Sequence, residues 1–366
     1  MQFFITREPL LEALHKVVGV IERRSTLPIL ANVLLRVQDG RLTLIGTDLE
    51  IELITSCEAS GDSGETTVPA RKLLDICRLL PPGTSLHCAL KDNKALEIKA
   101  GKSRFQLSAL PSANFPEFTL HGESIKTLVR GDALKKLLVK TMYAMAQQDV
   151  RYYLNGLLLE MEGTFIRAVA SDGHRLAWCE EPLESEVAGI HQPILPRKGV
   201  QELVRLLEGE GSLHPLRLTA NNIRLELGLT VFSAKLIDAR YPDYRRVFPE
   251  SLSRRLTVSR SQLKEAIGRV SILSNEQYRG IRLDVSPDLL RLSTHNPEHE
   301  EAEEEVEITY LGEPFTVGFN AAYLADAVSH LDADTIQLSF SDQNLSCLAE
   351  EPGNPSLRYL VMPMRL

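Results

Sequence analysis

The chain has 366 residues, is 43% hydrophobic and 25% charged, and carries a formal net charge of −8. That length exceeds a single core and suits two or three domains that need no disulfide or metal to hold them. The composition is that of a soluble globular protein, and an acidic balance taken at face value argues against nucleic acid as a partner. The five cysteines, Cys57, Cys77, Cys88, Cys179 and Cys347, form no C-x-x-C pair, so neither a disulfide framework nor a zinc site is expected. Arg7, Glu8 and Glu12 stand where a signal peptide needs an apolar core, and no apolar run reaches membrane-spanning length; a cytoplasmic protein without a membrane partner is expected.

The first predicted elements are a strand at QFFI and a helix whose Leu10, Leu11, Leu14, Val17 and Val18 recur at helical spacing, with Thr6 and Pro9 as start signals. The run LPILANVLLRVQDGRLTLIGTDLEIEL reads as a hairpin with an Asp39-Gly40 turn, followed by a turn at Thr47 and Asp48. After a loop containing Gly61-Asp62-Ser63-Gly64 comes a second helix, with Leu73, Leu74, Ile76, Cys77 and Leu80 apolar and Pro81-Pro82 ending it. Strands LHCALK, ALEIKA and RFQLSAL follow.

The same plan returns twice. A strand at 125–129, the helix DALKKLLVKTMYAMA and a hairpin from LNGLLLEM to TFIRAVAS, with turns at Glu162-Gly163 and Ser171-Asp172-Gly173, precede a helix in LPRKGVQELVRLLEG and strands LRLTA, IRLEL and VFSAKLID. The last third opens with LTVSRSQLKEAIGRVSIL, has its hairpin in YRGIRLDVSPDLLRLSTHN and its second helix in GFNAAYLADAVSHL, and closes with TIQLSF, LSCLAE and RYLVMP. A period of roughly 120 residues is longer than the 20 to 50 of a solenoid unit, so each repeat is a domain in size. The expected fold class is α+β: domains at 1–120, 125–248 and 251–366, each with two helices packed on antiparallel sheets.

Over the whole chain and in the same order, TLPIL, TDLE, VPARK, QDVRYYLNG, SDGHRLA, PRKGV, YPDYRRV, ILSNE, NPEHEEAEEE, GFN and VMPMRL make the sequence similar to the bacterial sliding clamp family, the β subunits of DNA polymerase III. The resemblance implies three DNA-clamp domains per chain and a head-to-tail homodimer closed into a six-domain ring around duplex DNA. It implies a noncatalytic processivity factor in DNA replication, with helices lining the hole. The implied partners are double-stranded DNA, the catalytic subunit of the replicative polymerase, the clamp loader, and other polymerases and repair proteins that bind through short peptides. No cofactor and no metal are implied, and no Gly-rich phosphate loop suggests ATP use.

This reading removes the charge paradox. Basic residues concentrate on the predicted helices and their starts (Lys16, Arg23, Arg24; Arg71, Lys72, Arg78; Lys135, Lys136, Lys140; Arg197, Lys198, Arg205; Lys264, Arg269), so an acidic protein can present a positive lumen. On the residues alone, solvated faces of amphipathic helices remain an equal alternative. The last helix departs from the pattern, with Asp326 and no Lys or Arg.

Carried over by matching positions, the DNA contacts are Arg24, Arg71, Gln148, Tyr152, Tyr153 and Lys198. The partner-peptide groove is Leu154, Ser171, Gly173, His174, Arg175, Leu176, Pro242, Arg246, Val247, Tyr278, Asn320, Tyr323, Ser346, Val361, Met362, Pro363 and Met364, with Tyr278 in place of a family phenylalanine. Adaptable Met362 and Met364 suit several peptides, and Pro363 is expected to end the closing strand and leave the terminal residues free. The dimer seam sets Lys72, Lys102, Arg104, Phe105 and Leu107 against Ile272, Leu273, Glu298, Glu300, Glu301, Glu303 and Glu304.

Three further groups of residues carry the letters of other chemistry. The Gly61 to Gly64 tetrapeptide has the letters of a serine nucleophile without its partners. Asp172, His174 and Cys179 suggest a hydrolase-like site, but Asp48 holds the same turn without a histidine, which favours a turn carrying a surface. His295 and His299 have the helical spacing of a metal pair, against which a solvated or docking acidic run is preferred.

Overall fold

The computed structural model describes residues 1–22, 26–116, 118–120, 122–207, 211–341 and 346–365. Six α-helices lie among them: α1 (Arg7–Val17), α2 (Ala70–Leu79), α3 (Gly131–Thr141), α4 (Arg197–Leu206), α5 (Arg260–Val270) and α6 (Ala321–Ser329). Periodicity explains three directly. α1 buries Leu10, Ala13, Leu14 and Val17, α2 buries Ala70, Leu73, Leu74 and Cys77, and α5 buries Leu263, Ala266, Ile267 and Val270, each set at i, i+3, i+4 and i+7. Thr6 precedes α1 without giving it a side-chain hydrogen bond, whereas Asn320 caps α6 through its Oδ1, which accepts from Ala322 N and Tyr323 N. The helix expected to reach Ala146 stops at Thr141, whose hydroxyl donates to Leu137 O at 2.7 Å, and a tight 3-10 turn, Met142–Ala144, follows. No helix among the described residues is long and apolar enough to cross a membrane.

The first and third hairpins form as expected, whereas Gly156–Ser171 runs as one strand through the expected Glu162-Gly163 turn. Asn32–Gln38 pairs antiparallel with Arg41–Thr47 through Asp39 and Gly40, at φ 50° and 74°, the left-handed pair of a two-residue turn. Gly64–Pro69 pairs back onto Asn32–Gln38 and runs into α2; Phe315–Asn320 does the same onto Gly280–Ser286 and runs into α6. In the middle repeat, residues 156–162 of Gly156–Ser171 pair with 190–196, which runs into α4, while residues 165–171 pair with 176–182. The break in pairing falls at Gly163, φ 57°, where the turn was expected.

The chain divides into two compact units, Met1–Asp132 with Lys198–Leu236, and Ala133–Arg197 with Ile237–Leu366. The first holds a five-stranded and an eight-stranded sheet, and in the larger one Thr230–Lys235 pairs with Ile51–Glu58. The second holds an eleven-stranded sheet in which Arg175–His191 pairs with Asn354–Val361. Segment 125–248 therefore supplies strands to both units.

Two alternative readings end here. A Cβ on Gly61 (φ 147°) would stand 2.2 Å from Gln2 O, and Asp62 N donates to that same carbonyl at 2.8 Å, so the glycine serves a close backbone approach to the strand Gln2–Thr6. His295 ends the strand Leu289–His295 and His299 lies beyond it at φ 64°, so the helical spacing of a metal pair does not exist.

Candidate functional site

Within the second unit, the turn after Ser171 is made by two short side chains. Ser171 Oγ donates to Arg175 O (2.8 Å) and accepts from Gly173 N (3.1 Å), and Asp172 Oδ1 accepts from the N–H groups of His174 and Arg175, both at 3.0 Å. Gly173, at φ 88°, has the conformation glycine favours, and a Cβ there would stand 2.8 Å from Arg151 Nη2. Arg175 fastens the turn to its surroundings: Nε donates to Asp172 (3.0 Å), Nη1 to Asp326 of α6 (2.5 Å) and Nη2 to Tyr143 O (3.0 Å). Its guanidinium lies 4.6 Å from the Tyr323 ring centroid and 5.2 Å from that of Tyr143, and the exposed His174 ring stacks on Tyr323 at 5.8 Å and 19°.

Beside this turn lies an apolar cluster that includes Leu154, Leu158, Leu176, Tyr241, Tyr244 and Leu360, with Tyr153 and Met362 packed against it and partly open. The strand Asn354–Val361 ends where Pro363 requires it to, but the residues after it are not loose. Met362 N donates to His174 O (2.8 Å) and Met364 N to Gly318 O (2.9 Å), which corrects the expectation of a free terminal run. Ser346 Oγ donates to Met362 Sδ at 3.5 Å. Pro242, Arg246 and the 36%-exposed Val247 stand at the surface around Tyr241 and Tyr244, with Arg246 paired to Asp243. Tyr278 is 58% exposed, and its carbonyl accepts from Asn320 Nδ2 at 3.2 Å. Leu154, Leu176, Ser346 and Val361 are buried, while His174, Tyr278, Tyr323, Val247, Met362 and Met364 offer accessible surface.

The same turn holds a neighbouring loop. Asp149 N donates to Asn155 Oδ1 and Asn155 Nδ2 to Asp149 O, both at 2.9 Å, and Arg151 bonds the Asp149 carboxylate (3.0 and 2.8 Å) and Asp172 O (3.2 Å). Those bonds leave Gln148 exposed at φ 57°, Val150 94% exposed and Tyr152 56% exposed, while Tyr153 turns its ring edge toward Tyr241. In the first unit, Lys198 Nζ is tied to the Asp48 carboxylate and to Val20 O, and Arg71 Nη2 donates to Ile21 O at 3.2 Å. Arg24 lies outside the described residues.

Arg104, Phe105 and Leu107 sit on one half-paired strand and Glu301, Glu303 and Glu304 on another, whereas Lys72 is on α2 and Ile272 and Leu273 form a 3-10 turn after α5. Ser103–Ser108 ends the five-stranded sheet, paired only with Ala95–Ala100. Glu301–Thr309 pairs along 301–307 with Leu289–His295, and on its other side only at Ile308 and Thr309. Ile272 is 76% exposed and Leu273 half-buried; with Glu298, Glu300 and Asn275, Ile272 borders a hollow of about 390 Å³. Lys72 and Lys102 are exposed and Phe105 half-buried, but Leu107, 7% exposed, belongs to the core and has little area left for a partner. Several seam charges are matched within the chain: Arg104 by Glu97 and Glu304 by Arg269, both at 2.5 Å, and Glu303 by Arg291 at 3.3 Å. The hydrogen bond from Arg269 holds the Glu304 carboxyl below its usual range.

Three family descriptions match the chain: DNA polymerase III beta subunit, N-terminal domain (residues 1–119), central domain (128–243) and C-terminal domain (245–365). It is 46% identical to the beta sliding clamp of Pseudomonas putida and 44% identical to that of Escherichia coli K12, over the full length of each. The chain belongs to the bacterial β sliding clamp family. Its fold agrees with crystal structures of that family, at a TM-score of 0.97 to the DNA polymerase III subunit beta of Pseudomonas aeruginosa (45% identity) and 0.95 to a Caulobacter crescentus beta sliding clamp (38%), each covering both chains fully. Another structure matched at 0.97 and 46% identity is a Pseudomonas aeruginosa sliding clamp bound to griselimycin.

In this sliding clamp the alternative catalytic grouping is not assembled. Asp172 spends its oxygens on the turn and on Arg175, and Cys179 is fully buried, with burial pushing its thiol up to about 12, so no thiolate is on offer. Sequence reasoning missed the residues that hold the Ser171 to Arg175 turn in place. Tyr143 stacks between Arg175 and His330, and Asp326, which stood out only as an acid on a helix expected to be basic, is the Arg175 partner. No local pattern marks either residue, because each acts on a residue far away in the chain.

Proposed function

We propose that this chain is a noncatalytic DNA sliding clamp with domains at 1–120, 125–248 and 251–366, closing head to tail with a second copy around duplex DNA in the cytoplasm. The observation that carries the reading is the pair of half-paired strands, Ser103–Ser108 and Glu301–Thr309, on unlike surfaces. Two different sticky edges suit a heterologous contact, which closes a ring when the rotation permits. Ile272, Leu273 and Phe105 supply apolar area, and the charges that remain set register. Sedimentation of the Ile272→Ala, Leu273→Ala double variant is expected to show monomer at concentrations where the parent is dimeric; an unchanged dimer rejects this seam.

Gln148, Tyr152, Arg71 and Lys198 make weak, sequence-independent contacts whose affinity falls steeply with salt. Retention on circular DNA after loading is expected to survive salt that abolishes binding to short linear duplex, and equal salt sensitivity of the two counts against encirclement. The groove beside His174 takes short peptides of the polymerase catalytic subunit, the clamp loader and repair proteins. Its half-buried Met362 and Met364 adapt to leucine or phenylalanine anchors.

A further inference from the structure

Strand pairing aligns the three repeats. Asn32, Gly156 and Gly280 each face the residue that precedes the second helix of their repeat, Pro69, Pro196 and Asn320, so Arg36, Glu160 and Asp284 hold equivalent places four residues on. Arg36 and Asp284 keep contact with solvent and pair with Glu65 and Arg282. Glu160 is fully buried. Tyr244 and Arg245, from the segment between the second and third repeats, reach its Oε1 at 2.9 and 2.7 Å, while Arg167 donates to the same oxygen at 3.2 Å and Gln192 to Oε2 at 2.7 Å. Against the push of burial, the hydrogen bonds of Gln192 and Tyr244 and the charge of Arg245 hold its carboxyl below the usual range. A buried carboxylate is costly unless donors meet its oxygens, so moving a donor away is penalised.

Two of those donors open the short 3-10 turn Tyr244–Val247, whose Arg246 and Val247 are surface residues of the groove. Tyr244 is buried in the apolar cluster with Leu154 and Leu176, and the Arg245 guanidinium lies 4.9 Å from its ring centroid. In the first repeat the corresponding segment meets its strands through Phe115, packed with Leu34 and Ile45. An apolar contact has no preferred direction, whereas hydrogen bonds to one carboxylate fix a position. We propose that Glu160 is a positioning residue for the peptide groove, fixing the Tyr244–Val247 turn so that Val247 stands where an apolar peptide anchor meets it. The proposal rests on the groove reading above and adds to it a residue that no peptide touches.

The test titrates the full-length protein with a labelled peptide of the polymerase catalytic subunit that bears leucine and phenylalanine anchors. Glu160→Leu fills the same space without a charge, and the partners it frees have others: Arg167 keeps Glu162 (2.8 Å) and Glu180 (2.5 Å), and Arg245 is half exposed. A melting temperature near the parent's is therefore expected. Peptide affinity is expected to fall about tenfold in Glu160→Leu and about threefold in Tyr244→Phe, which removes one hydroxyl from a side chain only 4% exposed. Glu160→Gln keeps an acceptor oxygen for both donors and is expected to bind within about threefold of the parent. Because Glu160 acts through Val247, its loss is expected to cost less than about twofold when made in Val247→Ala, whereas a merely structural role costs the same in both backgrounds. Tyr244→Phe carries the same cycle if Glu160→Leu melts early. A parent chain that does not take the peptide ends the groove reading and this proposal together. A parent that binds, with both variants binding equally well or losing as much in Val247→Ala as without it, overturns the proposal alone.

Discussion

The turns Thr47 to Ile51 and Ser171 to Arg175 share one hydrogen-bonded frame. Thr47 Oγ1 donates to Ile51 O at 2.8 Å as Ser171 Oγ does to Arg175 O at 2.8 Å; Leu49 N bonds Thr47 Oγ1 at 3.0 Å as Gly173 N bonds Ser171 Oγ at 3.1 Å. Asp48 accepts from the N–H groups of Glu50 and Ile51 as Asp172 accepts from those of His174 and Arg175. Each aspartate spends its second oxygen on a cation, Lys198 in one turn and Arg175 in the other. Each turn also opens the strand that joins a neighbouring repeat, Ile51–Glu58 to Thr230–Lys235 and Arg175–His191 to Asn354–Val361. The side chains carried on the frame differ. Where the first repeat has Leu49, Glu50, Ile51 and Glu52, the second has Gly173, His174, Arg175 and Leu176. A common scaffold thus carries a buried isoleucine and a buried acid at one junction, and a stacked histidine and a pinned arginine at the other. The difference between the two junctions belongs to the substitutions and not to the frame.

The largest expected effect comes from Arg175→Ala, which strips partners from Asp172, Asp326 and Tyr143 O in a site where the arginine side chain is only 12% exposed. It should cost about 3 kcal/mol in the second unit, measured by urea titration, and abolish peptide binding. A cost near zero would mean that the two turns are interchangeable.

Glu52 and Leu176 occupy the same place in the frame, and only the first titrates. Burial pushes the Glu52 carboxyl up to about 7, against the opposing pull of Arg224 and of Phe118 N–H. The folded state therefore holds a proton that the unfolded chain loses near its ordinary value of about 4.3, so this contribution is greatest below that pH and is lost as pH rises to about 7. The first unit should lose on the order of 2 kcal/mol across that window, and Glu52→Leu should flatten the dependence and stabilise at pH 8. A melting temperature with the same pH slope in Glu52→Leu would refute the assignment.

Asp48→Ala and Asp172→Ala should cost about the same, roughly 1–2 kcal/mol each, because the frames match bond for bond. Isothermal titration should separate them, with peptide affinity falling only in Asp172→Ala. The smallest effect concerns one backbone angle: Leu49 stands at φ 78° and Gly173 at φ 88°. Leu49→Gly should stabilise by up to about 1 kcal/mol in thermal melts, whereas Gly173→Leu should destabilise by more, since Arg151 also occupies the space its Cβ would need.

Local chemistry was readable from the residues alone. The Asp39-Gly40 turn, the alternating strands and the helix faces at i, i+3, i+4 and i+7 all depend on φ angles and on neighbours within a few positions. Contacts between distant positions were not readable. Lys198 meets Asp48 across 150 positions, Arg175 meets Asp326 across 151, and Met364 reaches back to Gly318. Phe105 and Leu107 share one face of a strand, yet only the packed sheet shows that Leu107 is core and Phe105 half-open. A charge or an apolar side chain is available to a partner only if the fold has not already used it, and that depends on which strands meet and which residues they bring within bonding distance.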